Sequence, residues 1–459
     1  MRADSQLRAI PRASGWLPLV GHLRPLMRDP LGFISSLRED GDVVRVELGR
    51  QPMVFVNSAE LVHDIYVKQA RAFDKGRLFD RMAPLVGGGL ASADGETHLR
   101  HRRLIQPAFH RQRLAGYGDV IARRARDLAD SLEPGREVAV DELMSDYAIG
   151  TLAETMFASD LGKPAIRAVR RDIPVVLDTM LTRALLPPVL DRLPIPANRR
   201  FLAAAARLRQ VIDDVITATR QADDTHADLL SMLLAARDEE TGAGLTDAEV
   251  RDELATMLFA GTETVASTFA WTFHELAGHP EAEQRLLAEI DDVVGSGPVA
   301  FRHVRDLTYT RAVLDEVIRL HGVVLLARRT ARPVRLGDAD LPAGTEVAFS
   351  LYAVNRDPRV YADADAFRPE RWLADDRPAA SEPVRQTFTP YGAGNRMCIG
   401  DAFARAEIAL TLATVLPRWQ LRSRPGYAVQ EATAAMARPK HVPMTVHPRS
   451  MAPPRQSAA

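Results

Sequence analysis

From Phe388 to Gly400 the chain surrounds its one cysteine, Cys398, with Gly392, Gly394 and Gly400, and sets Arg396 two residues ahead of it. Glycine lets a backbone turn tightly and approach a neighbour closely. Amide N–H groups can therefore reach the sulfur and favour its thiolate. Asp401 to Val415 reads as a helix, which puts the sulfur just ahead of a positive helix end. A thiolate so placed serves as a metal ligand or as a nucleophile. Nothing nearby in sequence supplies the histidine base a nucleophile needs. The remaining reading is an inert buried thiol packed as a small apolar group.

A second constellation is Ala260, Gly261, Thr262, Glu263 and Thr264, midway along a long helical stretch. Glycine inside a helix costs about 1 kcal/mol relative to alanine, and an acid with two hydroxyls in an apolar buried stretch costs more. Thr264 can bond a backbone carbonyl and loosen the helix locally. Glu263 can relay protons. The plainer reading is a kinked helix with packing hydroxyls. Elsewhere Glu316 and Arg319 lie three apart on one helix face, and His98 and Arg102 lie four apart on another. Alone, such pairs are equally at home on a solvated surface.

Together these segments resemble the cytochrome P-450 family. The Cys398 loop is similar to F-G-x-G-x-R-x-C-x-G at every fixed position except the first, where Tyr391 stands for phenylalanine. The resemblance implies haem b with Cys398 as iron ligand, a thiolate that favours O–O cleavage. It extends to A-G-x-[DE]-T at Ala260–Thr264, whose Glu263 and Thr264 would be catalytic. G-x-x-H-x-x-x-R, from Gly95 to Arg102, implies His98 and Arg102 as haem propionate donors, with Arg328 and Arg396 beside them. Gly392, Gly394, Gly400, Ala260 and Ala404 would contact the cofactor. E-x-x-R at Glu316 and Arg319, completed by Arg371 of a P-E-R segment, implies structural support of the haem loop. The family's L-x-P-P is absent; Leu320, His321, Gly322 and Val323 replace it.

These residues need elements to hold them. Thr246 and Glu249 form a capping box, and about thirty proline-free residues follow, long enough to cross the molecule. His98–Arg113, Tyr117–Leu132, Asp141–Phe157, Arg200–Arg220, Glu281–Val294 and Thr310–His321 also read as helices. Val43–Leu48 and Met53–Val56 read as a hairpin. Short strands are expected at Val334–Leu336, Glu346–Ser350, Gln420–Arg422 and Met444–Val446. The expected fold is mostly α with small β-sheets, one cytochrome P-450 domain over residues 1–447 with a long central helix over the haem, then a disordered tail at 448–459.

Apolar residues make up 46% of the 459, enough for a large core and too many for a disordered chain. A net charge of −1 creates no global field toward nucleic acid. One cysteine, no signal-peptide pattern and no run of ~18–20 apolar residues point to a cytoplasmic protein without a transmembrane anchor. No dinucleotide motif is present, so electrons for a monooxygenase must come from a separate ferredoxin or flavodoxin with its reductase. The basic run Arg100–Arg113 would dock it, since in the family fold this helix borders the cysteine side of the haem. Leu258, Phe259, Val323, Val324 and Leu325 are the candidate pocket lining and favour an apolar, terpene-like substrate for hydroxylation by O2. A haem-thiolate sensor without turnover and a cysteine-dependent hydrolase are the alternatives.

Overall fold

The computed structural model describes residues 2–449, apart from residue 50 and residues 158–162, 186–192, 222–227, 374–387 and 434–435. Its main helices are α1 (Pro30–Asp40), α2 (Gly95–Ile105), α3 (Arg111–Ser131), α4 (Val140–Met156), α5 (Lys163–Leu185), α6 (Pro196–Gln221), α7 (Asp247–Gly278), α8 (Pro280–Val294), α9 (Thr308–His321) and α10 (Asp401–Val415). The strands are short: β1 (Val43–Leu48), β2 (Gln51–Val56), β3 (Phe73–Asp74), β4 (Glu137–Ala139), β5 (Leu326–Thr330), β6 (Val334–Leu336), β7 (Ala339–Leu341), β8 (Glu346–Phe349), β9 (Trp419–Ser423), β10 (Gln430–Thr433), β11 (Ala437–Lys440) and β12 (Pro443–Pro448). The fold is mostly helical with small sheets.

The capping box forms as the sequence requires. Glu249 N–H donates to Thr246 Oγ1 at 3.2 Å, and Thr246 N–H donates to the Glu249 carboxylate at 2.8 Å. From this cap α7 runs 32 residues, about 48 Å at 1.5 Å per residue. It packs along α4 and α6, while α10 packs on α3. Leu254, Leu258, Phe269 and Ala270 of α7 are fully buried among these helices. The stretch expected as one helix from His98 to Arg113 is divided instead. Pro107 supplies no N–H to continue α2, so a tight turn over Gln106–Phe109 intervenes, and extended His110 opens α3.

The largest sheet has the order β1-β2-β8-β5-β3, with β2 and β8 parallel and the other pairs antiparallel. Its strand β5 was not foreseen, because Leu326–Thr330 contains two arginines and lacks an apolar alternation. β4, β12 and β9 form a second sheet. Pro448 ends β12, and Arg449 pairs with Glu283 at 2.6 Å, so the expected tail does not begin at 448. Residues 450–459 lie outside the described residues.

Candidate active site

Two backbone features shape the Cys398 loop. Gly392 and Gly394 take φ of +73° and +67°, the left-handed region that disfavours a side chain. A Cβ on Gly394 would also lie 2.7 Å from the Tyr66 carbonyl oxygen. Gly400 differs: its φ is −94°, and it serves as the N-cap of α10. The loop closes with Cys398 N–H donating to the Tyr391 carbonyl at 2.8 Å. The cysteine is exposed, yet protein surrounds it closely enough that burial pushes its thiol above the ordinary value. The Gly400 N–H and Arg102 oppose this and Asp401 adds to it. The expected thiolate is thus not secured by loop amides alone; coordination to a metal is what ionises such a thiol outright. No histidine stands among the groups acting on Cys398, so the hydrolase alternative lacks its base among the described residues.

His98, Arg102, Arg328 and Arg396 converge as expected, from α2, β5 and the cysteine loop, and Lys75 joins them. Arg102 Nη1 donates to the Met397 carbonyl at 2.5 Å, one residue before Cys398. Arg396 Nη2 is 2.7 Å from Asp94 Oδ1. Arg328 is buried, bonds the Ala327 carbonyl, and lies over the Tyr66 ring. Burial, with Arg328 and Arg396 next, lowers the Lys75 ammonium to about 7. Burial, with Lys75 and Arg396 next, lowers His98 to about 4. Lys75 carried no motif in the sequence; only its place after β3 brings it here.

Glu316 sits fully buried at the centre of a lattice. Arg319 Nε and Nη2 donate to its two oxygens at 2.9 Å each, Arg371 Nε at 2.9 Å, Trp372 Nε1 at 2.9 Å and the Arg368 N–H at 2.8 Å. Arg319 also donates to the carbonyls of Asn355, Ala364 and Ala366. Trp372 was not singled out in the sequence, although it follows Arg371 directly. Glu316 and Arg319 lie more than fifty positions from Arg368, Arg371 and Trp372 in most pairings and never fewer than 49, so only the fold brings the two groups together.

Midway along α7 one stripe is only partly covered while its neighbours are buried: Met257, Ala260, Gly261 and Thr264, with Ala260 exposed. A Cβ on Gly261 would stand 2.9 Å from a terminal methyl of Leu152 on α4, which would have to shift to admit it. Thr264 Oγ1 donates to the Ala260 carbonyl at 2.8 Å, as expected, but α7 remains continuous and shows no break at this point. Glu263 is buried. Ala404, on the first turns of α10, packs partly buried against the core. The pocket reading needs correction. Leu258 and Val324 are 1% and 0% exposed, inside two core clusters, and have no surface to offer a ligand. Phe259 is 8% exposed in the same core as Leu258. Val323 and Leu325 keep exposed surface because alternate residues of an extended segment face opposite ways. Leu325 lines an apolar cavity with Phe33, Met53 and Leu78.

The basic run Arg100–Arg113 is also largely spent within the chain. Arg100 pairs with Glu249 at 2.7 Å, His101 with Glu253 at 2.7 Å, and Arg103 with Asp238 at 3.0 Å. Burial lowers His101, but Glu253 and Glu249 outweigh it and raise the imidazole above its ordinary value. His110, Arg111 and Arg113 remain exposed. Arg111 borders a groove of Phe109, Leu114 and Phe301 that is completed by Arg305, Arg311 and, from the helix after Cys398, Arg405.

The fold is that of a known class. The family model described as Cytochrome P450 matches residues 11–442, and the chain belongs to the cytochrome P450 family. It is 40% identical over 439 residues to cyclooctat-9-en-7-ol 5-monooxygenase of Streptomyces melanosporofaciens, covering 95% of each chain. It is 36% identical to pentalenene oxygenase of Streptomyces avermitilis, covering 96% of this chain and 95% of that one. The crystal structure of the cytochrome P450DA heme domain superposes with a TM-score of 0.84 at 23% identity, covering 96% of this chain and 98% of that one. The protein is a P450 monooxygenase that takes a small-molecule substrate, O2 and electrons from a redox partner. Its family carries a haem–thiolate cofactor. The residues present suit that group: four basic side chains, Lys75, Arg102, Arg328 and Arg396, gather about one acid, Asp94, with His98 held toward its neutral form beside them, and Arg396 Nη1 is buried with no hydrogen-bond partner among the described residues. A dianionic edge answers that excess of positive charge.

Proposed function

We propose that this chain binds haem b through Cys398 and hydroxylates an apolar, terpene-like molecule with one atom of O2. The observation that carries the reading is the bond from Arg102 to the Met397 carbonyl, which ties the cation cluster to the cysteine loop. Lys75, His98, Arg102, Arg328 and Arg396 would hold the two propionates, and Gly392, Gly394, Gly400, Ala260 and Ala404 would border the porphyrin. Bound there, the cofactor supplies O2 activation, with thiolate donation favouring O–O cleavage. Thr264 holds its hydroxyl on the partly covered stripe of α7, and Glu263 next to it delivers protons to that stripe. Glu316, Arg319 and Arg371 fix the chain beneath the loop. The names of the relatives, which act on cyclooctat-9-en-7-ol and pentalenene, direct the choice of substrate to ring-fused terpene hydrocarbons and their alcohols.

The electron donor is a separate acidic ferredoxin or flavodoxin with its reductase, in the cytoplasm. Its docking face is the groove ringed by Arg111, Arg305 and Arg311, in place of Arg100–Arg103. Arg305 is paired with Asp306, and the exposed Arg111 and Arg311 beside an apolar floor suit an acidic partner. The first test is the absorption spectrum of the dithionite-reduced protein under carbon monoxide, beside Cys398→Ala. A strongly red-shifted Soret band, absent from the variant, is the expected result. An ordinary Soret position in intact coloured protein would withdraw thiolate ligation. Product formation from a terpene panel with NADPH and a surrogate reductase then separates turnover from ligand sensing.

A further inference from the structure

Where the family's L-x-P-P would stiffen the exit from α9, this chain has Leu320 and His321 at the helix end and Gly322 and Val323 after it, and tertiary bonds do the fixing. The buried His321 imidazole lies flat on the Trp271 indole of α7, centroids 3.8 Å apart and planes within 4°. Its Nδ1 is 2.7 Å from Glu431 on β10, and its Nε2 is 2.8 Å from Glu275 on α7. A carboxylate at each ring nitrogen calls for a donor at each, which only the imidazolium supplies. Burial pushes Glu275 and Glu431 up, but His321, first among their partners, outweighs it and holds both carboxyls below the ordinary range.

The same cluster ties a hairpin to the segment. Trp271 Nε1 donates to the Ala437 carbonyl at 2.5 Å, Ala437 N–H donates to the Gly322 carbonyl at 3.1 Å, and Val323 pairs with Met436 across an isolated bridge. From the other side the Tyr352 hydroxyl donates to Glu431 at 2.7 Å, and Arg356 Nε donates to the Leu320 carbonyl at 2.9 Å. A glycine-containing segment is free in the unfolded chain, so its single native path depends on such bonds.

We propose that His321, as an imidazolium, is the positioning residue that sets the wall of the substrate pocket. Its stack and two ion pairs replace two stiff prolines, clamping Val323 and the β10–β11 hairpin with Met436 against α7. This rests on the reading of Cys398 as haem ligand and of Val323 as pocket wall. The clamp lies on α7, α9 and the hairpin, apart from the cysteine loop and α10, so it acts on pocket shape and not on thiolate ligation.

Imidazole and phenylimidazole are the probes, titrated into the holoenzyme and read by the Soret shift. Both ligate haem iron, and the second needs room for its ring beside the wall. In His321→Leu and in Glu431→Gln the red-shifted carbon monoxide band and the imidazole affinity stay native. The ratio of the two dissociation constants changes by about tenfold, equivalent to about 1.4 kcal/mol. Combining the two substitutions changes the ratio no further than His321→Leu does, because both dismantle one clamp. A native ratio in both single variants overturns the proposal. So does a His321→Leu chain that loses haem beside a Glu431→Gln chain with the native ratio, because His321 would then serve folding only. A native protein without the red-shifted band overturns the haem–thiolate reading first, and this proposal with it.

Discussion

A buried lysine among arginines is held toward its neutral form, and Lys75, lowered to about 7 by burial and then by Arg328 and Arg396, is in that position. Two propionates would reverse the balance, since a charge-assisted bond contributes about 1.5–3 kcal/mol. Lys75→Met should therefore speed haem transfer to an acceptor apoprotein by about tenfold or more, while the carbon monoxide band keeps its position. An unchanged transfer rate would remove Lys75 from the propionate set. Thr264 acts at the same scale. Its hydroxyl is anchored to the Ala260 carbonyl, so Thr264→Ala removes a proton-handling group without disturbing the helix. NADPH oxidation should continue while product per NADPH falls on the order of tenfold to a hundredfold, in the range of general acid–base contributions. Equal losses in both rates would point to a binding role instead.

Within elements, the decisive unit is the Glu316 lattice, where α9 meets the turn at Arg371. Arg319 is 0% exposed and depends on Glu316 for its charge partner. Removing one member of a buried pair leaves the other uncompensated, at a cost of about 3–5 kcal/mol. Glu316→Gln should appear as a lowered thermal midpoint and a low haem content. Full haem content at a native midpoint would show that the donors find other acceptors. The break at Pro107 has a similar standing. It ends α2 below the cation cluster and lets α3 set off in a new direction, which leaves Arg111 exposed while Arg100 to Arg103 turn back into the chain.

For the whole molecule, two charge effects are expected. Docking through the groove of Arg111, Arg305 and Arg311 is electrostatic, so turnover with an acidic donor should fall as salt rises. Arg111→Glu should slow it and flatten that salt dependence, whereas a donor-limited rate indifferent to both would place the donor elsewhere. Acid should destabilise the fold in two stages. In the haem-free chain His98 is lowered to about 4, so between pH ~6.5 and about 4 the unfolded state binds more protons and stability falls as pH falls. Glu249 follows: burial raises it, but Arg100 and Thr246 outweigh that and bring it to about 2. Its contribution is present above the ordinary glutamate pKa and is lost as pH falls through about 2. Denaturant titrations across pH 7 to 3 check the sign.

The sequence by itself determined whatever depends on neighbours along the chain. The cap at Thr246 and the length of α7 followed from local hydrogen bonding and the absence of proline. The glycine pattern about Cys398 followed from backbone freedom, and Ala260 to Thr264 stood out because the residue types are costly where they sit. What only the tertiary structure decided depends on groups distant along the chain. Lys75 joins the cations because β3 pairs with β5, and Trp372 reaches Glu316 across 56 positions. Val324 turns into the core while Val323 and Leu325 do not, because pairing chooses which side of an extended segment is covered. The basic run looked free because its acids, Glu249, Glu253 and Asp238, lie more than a hundred residues away. His321 looked like the loss of a stiff turn until the fold set Trp271, Glu275 and Glu431 around it. Charge neutralisation and burial act through space, and sequence spacing does not report either.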